Sequence, residues 1–412
     1  MNDLTTRWGI PKTRFGIDNW LCGAVVVLLL WGLVMVASAS VAQAEKMTGD
    51  PFHYFFRQLV FMVIGVGGGF AMYCVPTRQW QRSSMWLFVL ALGLLVLVLV
   101  PGIGVKVNAA RRWIDVGDFR VQASEPVRLA LIIYVASYIT RRQQQLQTSF
   151  KGLAMPVVAV MLPCVLLLME PDFGATAILL GVVFLMLFLG GARVHYYLAF
   201  VGFAAMGLVM IAVAAPYRVK RMLNFMDPWA DVENAGWQLA QSLIAVGRGE
   251  WTGVGLGNSV QKLLYLPEMH TDFIFAILAE EFGLLGITIL ITLFGIVVWR
   301  GFAIARRAEL DGRRFSAYVC YGLSGWLGLQ SLINMAVNMG LLPTKGLTLP
   351  LLSYGGSSLL TVCALLGLIL RVDYENRAAA FGVTSAEDGT ARPRRRPSPA
   401  AAGRVAWTEA QP

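Results

Sequence analysis

The stretch His270 to Trp299 reads HTDFIFAILAEEFGLLGITILITLFGIVVW, and it decides the class of fold because an apolar run of membrane-crossing length follows three polar residues. Asp272 stands at the entrance to this run. A carboxylate at the edge of the hydrocarbon layer costs free energy, and it usually faces a cavity, a partner or a substrate. On spacing alone, two interpretations of Asp272 stay open: an N-cap of the helix that follows, or a reactive group.

Composition extends this interpretation to the whole chain. With 57% hydrophobic residues, 14% charged residues and a mean hydropathy of +0.63, the 412 residues are too apolar for a soluble protein. The alternating pattern of a membrane β-barrel is absent, so the sequence predicts an all-α, polytopic membrane protein with ten transmembrane helices. The ten apolar runs lie near 20–40, 58–75, 85–100, 126–140, 153–169, 173–190, 195–214, 273–299, 316–339 and 351–370.

The distribution of positive charge predicts the topology. An even number of crossings puts both termini on one side, and most of the 34 Lys and Arg residues fall on that side if it is the cytoplasm. We therefore expect a cytoplasmic N-terminus at 1–18, a membrane domain at 19–376 and a disordered, basic cytoplasmic tail at 377–412. The long segment 215–271, between helices 7 and 8, is predicted to be a structured periplasmic loop.

Within this loop, GWQLAQSLIAVGRGE (236–250) has the pattern of a short amphipathic helix lying on the membrane surface. Arg218, Arg221 and Arg248 make the loop basic. These cations either contact lipid head groups as a solvated loop or bind an anionic substrate.

Polar residues inside two of the apolar runs need partners. Gln330, Asn334 and Asn338 recur at four-residue spacing and project toward one side of a helix, which predicts that they face protein or water rather than lipid. Hydrogen bonding between helices and contact with substrate both explain this stripe. Glu280 and Glu281 are interpreted as structural carboxylates that could be paired.

The motifs exclude some chemistry and favour another kind. The chain contains neither GxxxxGK[ST] nor HExxH nor a Cys/His cluster, so we expect no bound nucleotide and no tightly held zinc. One poised carboxylate and many outward-facing cations suit a lipid-linked anionic substrate. Transfer of a sugar from a polyprenyl pyrophosphate needs one base, because a pyrophosphate leaves without an acid when cations neutralise its charge.

Several short motifs in a fixed order make the chain resemble a known family. They are ARRWI (110–114), EPDFG (170–174), PYRVKR (216–221), GNSVQK (257–262), LPEMHTDFIFA (266–276) and SYGGSS (353–358). Together they resemble the SEDS family (shape, elongation, division and sporulation) of peptidoglycan glycosyltransferases. The wording of GNSVQKLLYLPE and LPTKGLTLPLLSYGGSS is closer to the cell-division branch than to the elongation branch.

The resemblance implies an enzyme of the cytoplasmic (inner) membrane, enriched at the division septum, that polymerises lipid II into β-1,4-linked glycan strands at the outer face and releases undecaprenyl pyrophosphate. It makes Asp272, in the HTDF motif, the candidate general base. The extra Arg111 leaves open which of Arg111 and Arg112 contacts substrate. The candidate substrate-binding residues are Arg57, Arg111, Arg112, Glu125, Arg218, Arg221, Arg248, His270, Asn338, Lys345 and Ser353.

The resemblance also implies partners. We expect lipid II as substrate, a loosely bound divalent cation (Mg²⁺ or Mn²⁺), a class B penicillin-binding protein, a division activator complex and membrane lipids, but no nucleic acid. Two alternatives use the same bundle: a lipid II transporter (flippase) with a path to both sides, and a scaffold that recruits a transpeptidase. The clustering of charged segments outside favours chemistry at the outer leaflet, and a scaffold leaves Asp272 unexplained.

Overall fold

The computed structural model describes residues 16–107, 110–117, 119–213, 225–232, 236–344 and 346–380. The described helices are α1 (Asn19–Thr48), α2 (His53–Cys74), α3 (Thr77–Leu99), α4 (Ser124–Thr148), α5 (Phe150–Met169), α6 (Phe173–Leu189), α7 (Val194–Val213), α8 (Trp237–Arg248), α9 (Ile274–Leu310), α10 (Arg314–Asn338) and α11 (Gly356–Ala380). The described strands are β1 (Gly104–Val107), β2 (Ala110–Val116) and β3 (Phe119–Gln122).

Each of the ten apolar runs overlaps one of these helices, and α8 is the additional short helix expected in the long loop. Seven helices are long and apolar enough to cross a membrane, namely α1, α2, α3, α5, α7, α9 and α11. Helix α6 is shorter but equally apolar. The prediction of a mostly helical membrane protein is confirmed, whereas ten crossings and two cytoplasmic termini stay predictions. The predicted tail from 381 onward lies outside the described residues.

A small antiparallel sheet between α3 and α4 was not predicted. Its strands are ordered β1-β2-β3, and β2 pairs with β3 through Trp113 opposite Gln122 and Ile114 opposite Val121. Gly117 has φ 62° in the turn between these strands, a conformation that glycine adopts without steric cost. The sequence does carry a signal for this sheet, a Gly-Asp pair between two runs of β-prone residues, which is typical of a β-hairpin.

Helix α9 is broken at Gly283 (φ 62°, ψ −159°) and extends past the predicted end at 299. Segment 250–255 of the long loop satisfies the backbone groups that the break frees. Val254 N donates to Glu280 O (3.0 Å), and Leu284 N donates to Glu250 O (2.9 Å). A side chain at Gly283 would collide with the backbone of this segment. The segment can therefore pair with the broken helix only because residue 283 is glycine.

The two carboxylates beside the break hold the loop in place, as the interpretation of structural carboxylates predicted. Glu280 is fully buried and accepts hydrogen bonds from Arg248 Nη1 (2.7 Å) and from loop residues 259–261. Glu281 accepts from Lys262 Nζ (3.0 Å) and from Ser38 Oγ of α1 (2.7 Å). Each buried carboxylate thus has a cationic partner, as burial of a charge requires, although Glu281 Oε2 has no hydrogen-bond partner among the described residues.

Helix α8 forms as predicted, and part of its apolar face packs against protein. Its apolar residue Leu239 is buried, and both Leu239 and Leu243 lie beside Gly340, just after α10. Ser242 Oγ donates to Asn338 O (2.8 Å) at the end of the same helix. This side of α8 therefore packs on α9 and α10, which removes apolar surface from water.

The opposite ends of α1, α9 and α11 are joined by ion pairs. Asp18 caps α1 at Leu21 N (3.0 Å) and also accepts from the Arg300 guanidinium. Burial opposes ionisation of Asp18, but the hydrogen bonds and charge of Arg300 outweigh it and lower the pKa of the carboxyl. Arg377 of α11 also pairs with Asp18 (3.8 Å between Nη2 and Oδ2), so α11 is fixed at the end remote from Ser357.

Candidate active site

A cavity of about 950 Å³ opens among one set of helix ends. It is bounded by the sheet, the starts of α4, α6, α9 and α11, and the ends of α7 and α10. Apolar residues of α6 and α7 form one wall, including Phe173, Leu208 and Val209. The charged and amide side chains on its lining are Arg112, Gln122, Glu125, Arg128, Asp172, Gln238, Glu268, Asp272 and Gln330.

Asp272 lines this cavity, and its backbone is fixed from two sides. Its carbonyl accepts hydrogen bonds from Asn334 Nδ2 (2.9 Å) and Asn338 Nδ2 (3.1 Å) of α10. The carbonyl of Thr271 accepts from Ser353 Oγ (2.6 Å). The N-cap position of α9 is Phe273, so the structure does not place Asp272 at the N-cap.

Of the two candidate arginines, Arg112 lines the cavity and Arg111 does not. The Arg112 guanidinium donates from Nε to Glu170 O (3.1 Å) and from Nη2 to Pro171 O (2.5 Å), which fixes its plane. Neighbouring side chains on a strand point to opposite faces, and this alternation is why only one of the pair can face the cavity. The structure therefore assigns the cavity position to Arg112.

Glu125 lines the cavity as predicted, and it does so as half of a buried ion pair. Arg128 Nη2 donates to Glu125 Oε1 (2.6 Å), and Arg128 Nη1 donates to Gln330 Oε1 (2.8 Å). The Arg128 guanidinium also lies 4.9 Å from the centre of the Trp326 ring. Sequence reasoning did not select Arg128 for the site, although its i,i+3 spacing from Glu125 was a usable signal.

Four predicted substrate-binding residues have structural contacts. The side chains of Asn338 and Ser353 donate hydrogen bonds to the backbone carbonyls of Asp272 and Thr271. Arg248 pairs with Glu280 away from the cavity lining. His270 is buried, with its ring 4.7 Å from that of Tyr54, and burial lowers the pKa of the imidazole. The structure thus gives each of these side chains a contact within the protein, and their roles in substrate binding stay predictions.

The remaining predicted residues divide into two groups. Arg57, in the first turn of α2, is not among the residues that line the cavity. Arg218, Arg221 and Lys345 lie outside the described residues. The predicted polar stripe of α10 faces protein at Asn334 and Asn338, while Gln330 lines the cavity; all three side chains are buried, consistent with the expectation that the stripe faces protein or water.

The turn between α5 and α6 adds two carboxylates that were not selected. Asp172 caps α6 at Ala175 N (3.0 Å) and accepts from Gln122 Nε2 (3.2 Å). Glu170 is fully buried, and neither of its carboxylate oxygens has a hydrogen-bond partner among the described residues. Burial, and to a lesser degree the Asp172 charge, raises the pKa of Glu170 to about 8, while Arg112 opposes the shift. Glu170 is therefore mostly protonated at neutral pH.

Within the described part of the chain, no group of three or more His, Cys, Asp or Glu residues could hold a metal ion. The cavity does present carboxylate oxygens, the ligands that Mg²⁺ and Mn²⁺ prefer. Glu268 is exposed, lines the cavity and precedes Asp272 by four residues. These residues fit a cation that shares its coordination with substrate phosphates rather than a closed protein site.

Comparison with known proteins now decides the family. The family model FtsW/RodA/SpoVE, described as cell cycle protein, matches residues 19–378. The chain belongs to this family. Several of its described helices are long and apolar enough to cross a membrane, so the chain is a multi-pass membrane protein.

The relatives agree with this assignment. The chain is 50% identical over 379 residues to the probable peptidoglycan glycosyltransferase FtsW of Methylococcus capsulatus, covering 92% of this chain and 95% of that protein. It is 49% identical over 366 residues to the probable peptidoglycan glycosyltransferase FtsW of Legionella pneumophila, covering 89% and 93%.

Solved structures share the fold. One, described as structural coordination of polymerization and crosslinking by a peptidoglycan synthase complex, matches with a TM-score of 0.71 and 30% identity, covering 88% of this chain and 98% of that chain. The rod shape determining protein RodA of Thermus thermophilus matches with a TM-score of 0.66 and 28% identity, covering 89% and 99%.

Proposed function

We propose that the protein is a peptidoglycan glycosyltransferase that polymerises lipid II at the outer face of the cytoplasmic membrane during cell division. The observation that carries this proposal is the cavity, where Asp272 lies on a backbone fixed by Asn334 and Asn338 and shares the lining with Arg112 and Arg128. Relatives that match nine-tenths of the chain carry the name of this activity.

In the proposed reaction, a sugar hydroxyl of one lipid-linked chain attacks the anomeric carbon of another. A glycosidic bond forms as the bond between that carbon and the pyrophosphate oxygen breaks. Asp272 accepts the hydroxyl proton, a contribution of typically about 10²–10⁴-fold. The bond electrons leave with the pyrophosphate, whose negative charge Arg112 and Arg128 stabilise from the cavity wall.

The apolar wall of α6 and α7 suits the polyprenyl chains of such substrates, because Phe173, Leu208 and Val209 line it. A divalent cation bound with the pyrophosphate would neutralise its charge. Glu268 would hold such a cation, since its exposed carboxylate borders the cavity.

The position of the cavity favours chemistry over transport. Its polar lining gathers at one set of helix ends, including the starts of α4, α9 and α11 and the end of α10. A flippase requires a polar path to both sides of the membrane. We therefore place the reaction at the outer leaflet.

We also propose that the protein works with a class B penicillin-binding protein, a division activator complex and the lipids around it, at the septum of the inner membrane. The similarity to a structure of a peptidoglycan synthase complex that coordinates polymerization and crosslinking supports a transpeptidase partner.

The test uses purified protein and its Asp272→Asn variant, each with and without the cognate transpeptidase, incubated with lipid II and Mg²⁺ or Mn²⁺. Glycan products are resolved on a gel. We expect polymer from the wild-type complex and none from the variant, with equal melting temperatures and equal partner binding. Polymer from a well-folded variant would overturn the general base, and polymer from neither complex, with a known polymerase active in parallel, would overturn the activity.

A further inference from the structure

The amino-terminal end of α11 opens into the cavity. Gly355, Ser357 and Ser358 are all on the cavity lining. The first hydrogen bond of the helix runs from Leu359 N to Gly355 O (2.9 Å). The amides of Gly356, Ser357 and Ser358 precede it and therefore have no acceptor within the helix, as at the start of any α-helix.

No side chain of the described residues is seen to cap these amides. The residue before the helix is Gly355, which has no side chain, and the first turn contains no acidic residue. Helix α6 starts on the same cavity, but there Asp172 already caps the amide of Ala175. Of these two helix starts, that of α6 has one amide already bonded by a side-chain cap, whereas that of α11 leaves its first amides for a ligand.

The side chain of Ser357 gives a second, independent indication of a ligand. Ser357 is only 5% exposed, lines the cavity, and its hydroxyl makes no hydrogen bond to any of the described residues. The hydroxyl is not among the side-chain oxygens sealed from the cavity, so it remains available to donate a hydrogen bond to a ligand there. Ser358, by contrast, already shares a 3.1 Å hydrogen bond between its Oγ and Thr348 Oγ1. The unpartnered hydroxyl and the free amides are adjacent donors on one helical turn.

A cation is connected to the same end of the helix. Arg128 donates to Gln330 Oε1 (2.8 Å), Gln330 Nε2 donates to Thr348 O (2.9 Å), and the Thr348 hydroxyl contacts Ser358. Gln330 bonds to Arg128 on one side and to Thr348 on the other, and Thr348 in turn bonds to Ser358. These hydrogen bonds hold Arg128 in a fixed position relative to the start of α11. Free amides, a hydroxyl and a guanidinium are the donors that bind phosphate groups.

We infer that the start of α11, at Gly356, Ser357 and Ser358, binds the pyrophosphate of a polyprenyl-linked sugar donor. This inference rests on the proposed function and names the place of its leaving group. Segment 346–355 leads from Gly346, beside the Asp272 carboxylate, to this helix end. The base and the leaving-group site therefore lie at the two ends of one segment.

The test measures binding of inorganic pyrophosphate and of farnesyl pyrophosphate to the full chain in detergent, without any acceptor. Ser357→Ala removes a hydrogen bond to a charged ligand and should raise the Kd by about tenfold or more. Ser357→Asp places a carboxylate at a helix start, which stabilises a helix, and should raise the Kd further without lowering the melting temperature. Thr361→Ala is the matched control, because its hydroxyl bonds to Ser357 O (2.8 Å) outside the cavity lining.

An unchanged Kd in the folded Ser357→Asp variant would overturn the inference. A second arm separates the sources of phosphate by adding phosphatidylglycerol to nanodiscs. Displacement of pyrophosphate by that lipid at equal concentration would assign the site to bilayer head groups and also overturn it. Pyrophosphate binding does not require synthesis, so a chain that binds pyrophosphate through Ser357 but makes no glycan would contradict the proposed function alone.

Discussion

The side-chain amide of Asn334 lies 2.9 Å from the main-chain carbonyl of Asp272 and also donates to Leu347 O, so one residue of α10 ties the HTDF motif to the segment before α11. Asn334 is 2% exposed, and each bond is made away from bulk water. Asn334 is therefore a positioning residue for the carboxylate.

Replacement of Asn334 by Ala should slow polymerisation by about tenfold or more, because loss of a buried hydrogen bond costs about 1–3 kcal/mol and here it releases the backbone of Asp272. We expect kcat to fall while KM for lipid II stays close to the wild-type value. Ser331→Ala is the control on the same helix, since its hydroxyl bonds only within α10. A higher KM for lipid II with an unchanged kcat would argue against a positioning role.

Gly346 leaves room for the Asp272 carboxylate. A Cβ atom at this position would lie 3.1 Å from Asp272 Oδ2, closer than ordinary van der Waals contact. Gly346→Ala should therefore displace the carboxylate and reduce the rate of glycan synthesis by about tenfold, since a shift of about 1 Å at a reacting group costs up to about 10²-fold. The melting temperature should change little. Full activity in this variant would show that the carboxylate has space to move without loss of function.

Arg112 and Arg111 offer a matched pair of substitutions. Arg112→Lys cannot reproduce the two-pronged contact with Glu170 O and Pro171 O and should lower polymer yield by about tenfold or more. Arg111→Lys should leave the yield within about twofold of the wild type, because Arg111 is not on the cavity lining. Gel analysis of products from both variants checks the assignment, and equal losses would contradict it.

Glu170 should make stability depend on pH in a defined window. Burial raises its pKa from 4.5 to about 8, so the protonated form is favoured in the folded protein. The associated stability is fully present below about pH 4.5 and is lost as the pH rises toward 8. Glu170→Gln mimics the protonated acid. Its melting temperature should equal that of the wild type near pH 4.5 and exceed it by pH 8.

The control for this experiment is Asp115→Asn, since Asp115 is an exposed carboxylate with 45% of its side chain accessible. Its melting temperature should differ from that of the wild type by a similar amount across the same range. A constant difference between Glu170→Gln and the wild type at every pH would contradict the pKa shift.

The break in α9 gives a stability prediction. Gly283→Ala adds a Cβ at a φ of 62° and against the backbone of Gly249 and Gly253. We expect a loss of about 1–3 kcal/mol in stability and loosening of the long loop, seen as faster hydrogen exchange in 249–262. Gly295→Ala, farther along α9 with open space around it, should leave exchange in the loop unchanged.

The sequence by itself determined the membrane class and the positions of the helices, and it selected Asp272, which the structure places on the cavity lining. Apolar runs of 17 or more residues leave few alternatives to a helix in lipid, because every backbone group must be paired within the segment. The motif SYGGSS likewise marked the start of α11, although its donors were not recognised as a site.

Only the tertiary structure decided which polar groups face the cavity. The sequence offered five polar residues as equal candidates. Three of them bond to the backbone or to Glu280, namely Asn338, Ser353 and Arg248, while Glu125 and Arg112 line the cavity. A polar side chain can satisfy itself on substrate, backbone or a buried charge, and that choice depends on which elements meet in space. Residue type and spacing limit the candidates, whereas packing assigns their partners.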